Sequence, residues 1–323
     1  MSKQVLATLV AGLAILVLLP FTQSNYGVFV LCSWLVYSIS AMGLNLTLGY
    51  AGQVSLAQAS FMGIGAYMTA LMTMTGVPWP VAMIAAMASC FVIGFLLGYP
   101  ALRVQHHFLA FITLAFNALV VLMLRNEEWL TGGTYGIVGV PRPEVLGLPT
   151  QTPLAFYFFV LALFLLMAAA LYGIIRSPWG RTFRALRENP IRANSLGVDI
   201  RKTTLLAFAI GSSYGGLAGS LLAQLTQFID PHSFGLTISL KVLLMVIVGG
   251  AGFFLGPILG ALLIVLAPEF LRFTEGYYLM IYATLVIVLM VFCPTGLLGL
   301  VERARTALKL RRKPNATTWE AGR

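Results

Sequence analysis

Residues 153–175 read PLAFYFFVLALFLLMAAALYGII, and residues 176–202, directly after them, read RSPWGRTFRALRENPIRANSLGVDIRK. The first stretch is uncharged and apolar on every helical face, and long enough for one crossing of a bilayer at about 20 residues. The second holds seven basic and two acidic side chains. An apolar span that ends in concentrated positive charge decides the kind of fold and its orientation, because basic segments stay on the cytoplasmic face.

The rest of the chain is built the same way. Of its 323 residues 59% are hydrophobic and 9% charged, against roughly 25% charged in a soluble domain. Ten acidic side chains cannot furnish the surfaces of two soluble domains, which is what this length would otherwise form. Disorder, a coiled coil and a disulfide scaffold fail on the same figures. Cys32, Cys90 and Cys293 are odd in number and sit in apolar runs, so they imply no disulfide framework. Residues 301–323 again carry seven basic and two acidic groups, leaving the remainder of the chain to sum to zero against the net +10. This charge suits anionic lipid at the inner face. Without a basic patch on a folded polar surface, nucleic acid is excluded as a partner.

The expected fold class is all-α, a polytopic integral membrane protein with about ten transmembrane segments, broken or re-entrant helices among them, and both termini cytoplasmic. A single membrane domain is expected over residues 1–300, with a cytoplasmic segment at 176–203 and a basic cytoplasmic tail at 301–323. Spans fall at about 5–21, 27–48, 56–75, 79–99, 108–124, 153–175, 204–224 and 278–298. The run Val5 to Leu19 reads as an uncleaved first span, since Pro20-Phe21-Thr22 offers no cleavage site. Alternating the side at each crossing brings Arg103, His106 and His107 inside in a short turn and puts the loop 125–152 outside. For the tail to return inside, residues 239–272 must enter and leave on one face, as two short spans or a re-entrant hairpin.

Two local breaks support that reading. An apolar helix over Ser239 to Val248 is interrupted by Gly249-Gly250-Ala251-Gly252, and Gly256-Pro257 restarts a helix. Earlier, Gly49-Tyr50-Ala51-Gly52-Gln53 runs into Ser55-Leu56-Ala57-Gln58, a capping-box pattern with Ser55 as N-cap and Gln58 at the third helical position. Broken helices at membrane depth are tolerated only against protein or a watery cavity. The glycines therefore either line a pathway or permit tight packing. Gly252, Gly256 and Gly260, like Gly211, Gly215 and Gly219, recur every four residues and predict small-residue stripes for helix contact. Neutral polar groups at depth are Asn45, Gln53, Ser55, Gln58, Ser60, Thr113 and Asn117, serving interhelical hydrogen bonds or a pathway. Asn45, Gln53, Ser55, Gln58, Asn117, Gly249, Gly250 and Gly252 are the pathway candidates.

Motifs for chemistry are missing from the sequence. It has no Walker A motif, no complete dinucleotide fingerprint and no metal-ligand cluster, so neither a cofactor nor a metal is expected. Glu127-Glu128 reads as a solvated pair on the outer loop. The spans carry almost no ionisable groups of the kind that ion-driven carriers use, so the driving energy comes from another chain. No enzymatic activity is expected.

The cytoplasmic segment suggests how. The run from Arg176 to Pro190 reads as a basic helix whose end is set by the proline. Asn189 is then a good N-cap, Pro190 a good first residue and Gly197 a good stop, predicting a two-turn helix over Pro190 to Leu196. Its Ala193, Leu196 and Gly197 are expected along one side, with Arg192 beside them, small enough to enter a cleft of another protein. A plain surface loop would need no such capping, whereas a transporter driven by a separate ATPase needs a surface knob of this kind.

Three stretches in order carry a family resemblance: Gly43-Leu-Asn-Leu-Thr-Leu-Gly-Tyr-Ala-Gly-Gln-Val-Ser-Leu-Ala-Gln58 with Gly63-x-Gly65-Ala-Tyr67; Leu130-Thr-Gly-Gly-Thr-Tyr-Gly136 with Pro141-Arg-Pro143; and Arg184-Ala-Leu-Arg-Glu-Asn-Pro-x-Arg-Ala-x-x-Leu-Gly-Val198. Gly249-Gly-x-Gly252 to Gly256-Pro257 follows as a fourth. With them the chain resembles the permeases of bacterial ABC importers for branched-chain amino acids, and its Leu-Thr-Gly-Gly loop resembles the M-type rather than the H-type subunit. The resemblance implies an inner-membrane heterodimer with a second homologous permease, two cytoplasmic ATPase subunits and a periplasmic substrate-binding protein. It places ATPase coupling at Glu188, Asn189, Pro190, Arg192, Ala193, Leu196 and Gly197. Binding-protein docking falls on Trp129, Thr131, Gly132, Gly133 and Tyr135. Related permeases take urea, short amides or aromatic acids. The alternative is a self-sufficient secondary carrier or channel for a small polar solute.

Overall fold

The computed structural model of the protein describes residues 12, 14–101, 106–145, 148–150, 152–271, 277, 280, 281, 283, 284, 287, 288, 291 and 296–300. Helix α1 (Asn25–Leu44) starts at Ser24, whose Oγ accepts the Gly27 N–H, and runs on into a π turn, Asn45–Tyr50. Residues 51–57 have no helical structure. Then come α2 (Gln58–Met74), α3 (Trp79–Ala101), α4 (His106–Asn126) and the short α5 (Glu128–Thr131). After strands β1 (Ile137–Val138), β2 (Glu144–Val145) and β3 (Leu148–Pro149), α6 (Pro153–Arg176) is capped by Thr152. Surface helices α7 (Pro178–Glu188) and α8 (Pro190–Ser195) follow, then the long α9 (Ile200–Thr226). Strand β4 (Phe228–Ile229) precedes α10 (Leu236–Gly249) and α11 (Gly256–Phe270).

The chain is therefore mostly helical. The two-residue strands, paired antiparallel as β1 with β4 and β2 with β3, stitch loops together and qualify the all-α expectation only locally. Among the described residues six helical runs are long and apolar enough to cross a membrane: Asn25–Tyr50, Trp79–Tyr99, Leu109–Asn126, Pro153–Arg176, Ile200–Thr226 and Pro231–Gly249. Helix α2 has 17 residues and α11 has 15, about 25 and 22 Å at 1.5 Å per residue, both short of a hydrocarbon core of about 30 Å. The expected span at 278–298 and the first at 5–21 lie partly outside the described residues, and the basic tail wholly so.

Helix α9 is the centre of the bundle because its small residues let three neighbours approach at backbone distance. A β-carbon at Gly211 would meet the Gly43 carbonyl, one at Gly215 the Phe61 and Gln58 side chains, and one at Gly219 the Met62 carbonyl. On another side Gly216 takes Cys90 and the Ala86 carbonyl. Helices α1 and α2 thus pack on α9 through the stripe read from Gly211 to Gly219, and α3 packs through Gly216 beside it. The outward faces of α3 and α4 expose Ile84, Leu96, Phe111 and Leu122. That is the distribution required where the solvent is lipid or another membrane subunit.

Contacts sort the helix ends. At one end Tyr26 Oη donates to Glu269 Oε2 (2.8 Å), the Trp79 and Phe159 rings meet at 4.9 Å, and β1 pairs with β4. At the other, α7 lies beside Gly49 and Gly252, and Gly296 comes against Gly250. Helices α10 and α11 therefore form a pair that turns at residues 250–255, and the tip of that turn reaches the end of the molecule that carries α7 and α8.

Four local expectations are corrected. Helix α2 starts at Gln58, not after Ser55, so no capping box forms: Ser55 Oγ accepts the Ala57 N–H (3.3 Å), and the Gln58 amide is spent elsewhere. Gly252 lies in the turn before α11, with φ +88°, and so belongs to no stripe with Gly256 and Gly260. Residues His106 and His107 open α4 and do not sit in a turn. Ala193 is 2% exposed, facing the protein, so it does not share an outer side with Leu196, which is 82% exposed.

Candidate functional site

The two breaks found in the sequence meet in space. Asn45 is fully buried at the start of the π turn; its Nδ2 donates to the Phe253 carbonyl (3.0 Å) and its Oδ1 accepts the Gly252 N–H (2.9 Å). One side chain thus clips the end of α1 to the turn between α10 and α11. No side chain fits between them, since a β-carbon at Gly49 would strike both Asn45 and the Gly252 nitrogen. Gly249 and Gly250 serve the hairpin itself: Gly249 abuts the Gly256 carbonyl, and Gly250 has φ +119°.

A second polar node holds the far end of residues 51–57. Thr113 Oγ1 accepts the Leu56 N–H (3.0 Å). Asn117 Nδ2 donates to the Leu56 carbonyl (3.2 Å) and to Ser239 Oγ (2.9 Å), which also accepts the Ala59 N–H (3.0 Å). Gln58 Nε2 donates to the carbonyls of Ser40 (3.0 Å) and Gly211 (3.4 Å). These residues replace the hydrogen bonds a helix would have made, which is the condition for irregular backbone inside a membrane. Of the pathway candidates, Asn45 and Gly252 share the first node, and Gln58 and Asn117 the second. Gln53, 3% exposed, keeps an Oε1 with no hydrogen-bond partner. Ser239 was read only as the start of an apolar helix.

Helix α7 rests on these breaks. It buries Gly180, Phe183 and Leu186 and turns its basic residues outward. Arg187 reaches back: its Nη1 donates to the Gly49 carbonyl, and the stem of its side chain lies over Gly52. Arg184, one turn earlier, stands 5.6 Å from the Tyr50 ring centroid. From sequence both arginines are read as topogenic charge and as part of the family motif, without a contact of their own, although their spacing of three on a helix that must bury the opposite face already puts them on one side.

Helix α8 is capped at both ends. Asn189 Oδ1 accepts the Arg192 N–H (3.0 Å) and Pro190 is the first helical residue. At its close the Gly197 N–H donates to Asn194 O (2.9 Å) and the Val198 N–H to Ala193 O (3.1 Å), with Gly197 at φ +83°. This is the paired bond pattern of a left-handed helix stop. Glu188 and Arg192 are exposed, and Ile191 (79% exposed) joins Leu196 as the apolar pair on the outer surface. Asp199 then caps α9, accepting the Lys202 N–H (3.1 Å), and that hydrogen bond, with the Lys202 ammonium at 3.5 Å, holds its carboxyl below the usual range.

At the opposite end, Trp129 (82% exposed) and Tyr135 (88%) project from the loop after α4. Thr131 is buried, donating to the Leu124 carbonyl (2.6 Å) and accepting the Gly133 N–H. Gly132 and Gly133 supply φ angles of +73° and +59°. The last three shape the loop, and the two aromatics are what it presents.

Lys241 was passed over inside the apolar run. It is half-buried in the middle of α10, with its Nζ 4.9 Å from the Tyr37 ring centroid. Among the described residues no three His, Cys, Asp or Glu side chains gather as metal ligands.

The polytopic helical domain, with two joined helix breaks at one end and a capped surface helix pair over them, has the sequence of a membrane transport protein, a permease and not a catalytic subunit. The chain belongs to the family of branched-chain amino acid transport system permease components, whose model matches residues 26–290. It is 33% identical to the high-affinity branched-chain amino acid transport permease LivM of Escherichia coli K12, over 94% of this chain and 76% of the relative. The probable branched-chain amino acid transport permease LivM of Methanocaldococcus jannaschii is 28% identical over 67% of each chain. The permease LivH of Escherichia coli K12 is 27% identical over 82% of this chain and 92% of the relative. The family expected from the motifs holds, and these identities fall on the M side of the M and H pair. No solved structure matches the chain.

Proposed function

We propose that the chain is the M-like permease of an ATP-binding cassette importer that moves branched-chain amino acids across the inner membrane. It works with a second homologous permease, two cytoplasmic ATPase subunits and a periplasmic binding protein. Residues 1–300 form the membrane domain with about ten segments and both ends cytoplasmic, and 301–323 form a basic cytoplasmic tail. The α7–α8 segment faces the ATPase, with Glu188, Asn189, Pro190, Arg192, Leu196 and Gly197 at or beside the contact and Ala193 anchoring it from within. Residues 45–58, Asn117 and 249–252 belong to the moving pathway, and Trp129 and Tyr135 meet the binding protein.

The observation that carries this reading is the junction of Asn45, Gly49 and Gly252 beneath α7. A force applied to the surface helix has a short path to both broken helices, and the sequence itself holds no nucleotide site. The test is uptake of labelled leucine into proteoliposomes holding the co-expressed complex. Uptake requires ATP, the ATPase subunits and loaded binding protein, and this chain alone gives none. A carrier acting unaided is the second reading, and the intramembrane Lys241 favours it. It requires uptake by the chain alone, driven by an ion gradient.

A further inference from the structure

We infer that Arg187 is the positioning residue that transmits movement of the α7–α8 segment to both helix breaks at once, a proposal that rests on the coupling role given to that segment above. Two observations meet at its guanidinium, and a third joins the two backbones it touches. The guanidinium donates to the carbonyl of Gly49, one residue before the end of the π turn, where no further helical N–H can reach and the partial negative charge of a helix C-terminus collects. Gly252 has no side chain, and a β-carbon there would occupy the place of Arg187 Nη1. Asn45 ties the backbone of the same turn to the same π segment. Arg184 adds a second, looser hold on Tyr50 at 5.6 Å.

The arrangement has the parts of a mechanical link. Helix α7 is fixed to the bundle by Phe183 and Leu186, both almost fully buried, and continues through Asn189 into α8. Residues 51–57, which follow the gripped carbonyl, form no helix, and Thr113 and Asn117 hold their far end at Leu56, so a displacement of Gly49 is passed to a segment anchored at both ends. A shift of α7 therefore either carries the Gly49 carbonyl and the 250–253 turn along or breaks a charge-assisted hydrogen bond. That makes the two states of the pathway unequal in energy, as coupling between sites requires.

The test uses the reconstituted complex with Arg187→Gln, Arg187→Lys and, on the same helix, Arg181→Gln. Arg187→Gln is expected to assemble with the ATPase subunits and hydrolyse ATP within about twofold of the unaltered complex while uptake falls about tenfold, the loss expected of one charge-assisted bond. Arg187→Lys, keeping a cationic donor, regains a large part of the uptake per ATP, and Arg181→Gln, on the outward face of α7, leaves the uptake per ATP unchanged. The proposal is overturned if Arg187→Gln transports normally, if uptake and hydrolysis fall in the same proportion, or if it fails to assemble where Arg181→Gln assembles. Should the unaltered complex show no ATP-driven uptake, the importer reading itself fails, an outcome separate from these.

Discussion

Asn45 makes two backbone hydrogen bonds with two different atoms of one fully buried side chain; the Phe253 carbonyl also accepts the Gly256 N–H (3.3 Å), so the Gly252 N–H is the target that depends on Asn45. Leaving a buried donor or acceptor unpaired costs about 1–3 kcal/mol. With one of the two targets left unpaired, Asn45→Ala is expected to destabilise the detergent-solubilised chain by about 1–3 kcal/mol, read as a fall in thermal unfolding midpoint. Asn45→Asp keeps the acceptor and loses the donor, so it should fall between the two. An unchanged midpoint for Asn45→Ala would mean that the Gly252 N–H is paired in some other way. Lys241 poses the opposite problem, a cation in the middle of an apolar helix with an aromatic face as its visible support. An intramembrane charge costs about 2.5–3.5 kcal/mol on insertion scales, a burden a chain retains where function requires it.

At the scale of the element, α8 shows what local sequence can dictate. Asn189, Pro190 and Gly197 were legible as cap, first residue and stop because each acts through its own backbone preference within a single turn. Ala193 was misread because a six-residue helix is too short for periodicity to say which side faces in. The capping box at Ser55 failed for a related reason. The motif is local, but long-range bonds from Thr113, Asn117 and Ser239 to residues 56 and 59 hold that backbone in a different shape. Gly197 offers the test at this scale. A β-carbon there meets nothing within 4 Å, yet φ is +83°, so a side chain pays in conformation and then projects from the outer surface. Gly197→Trp should leave the amount of assembled permease in the membrane unchanged and cut ATP-driven uptake about tenfold or more, the loss expected when a docking surface is blocked. Normal uptake with Trp at this position would remove α8 from the coupling contact.

For the whole molecule, charge predicts an orientation, while the meeting of Asn45 with Gly252, across some two hundred positions of sequence, could not be read from either break alone. Periodicity fades in helices surrounded by lipid and other helices, so it identifies spans but not the partners of their faces. The structure sorts the exposed groups into two sets at opposite ends: Ile191 and Leu196 beside the basic α7, Trp129 and Tyr135 on the loop after α4. Positive charge belongs inside, so the first set is expected on the cytoplasmic face and the second outside. In a chain with Cys32, Cys90 and Cys293 replaced by Ser, single cysteines at Ile191→Cys and Tyr135→Cys make this a measurement. A membrane-impermeant maleimide should label Tyr135→Cys in right-side-out vesicles and Ile191→Cys only after the vesicles are inverted. The reverse pattern would place α7 and α8 away from any cytoplasmic ATPase, and with them the Arg187 link. Labelling of both from one side would mean that the count of crossings between residues 135 and 191 is even, contrary to the single span α6 that joins them.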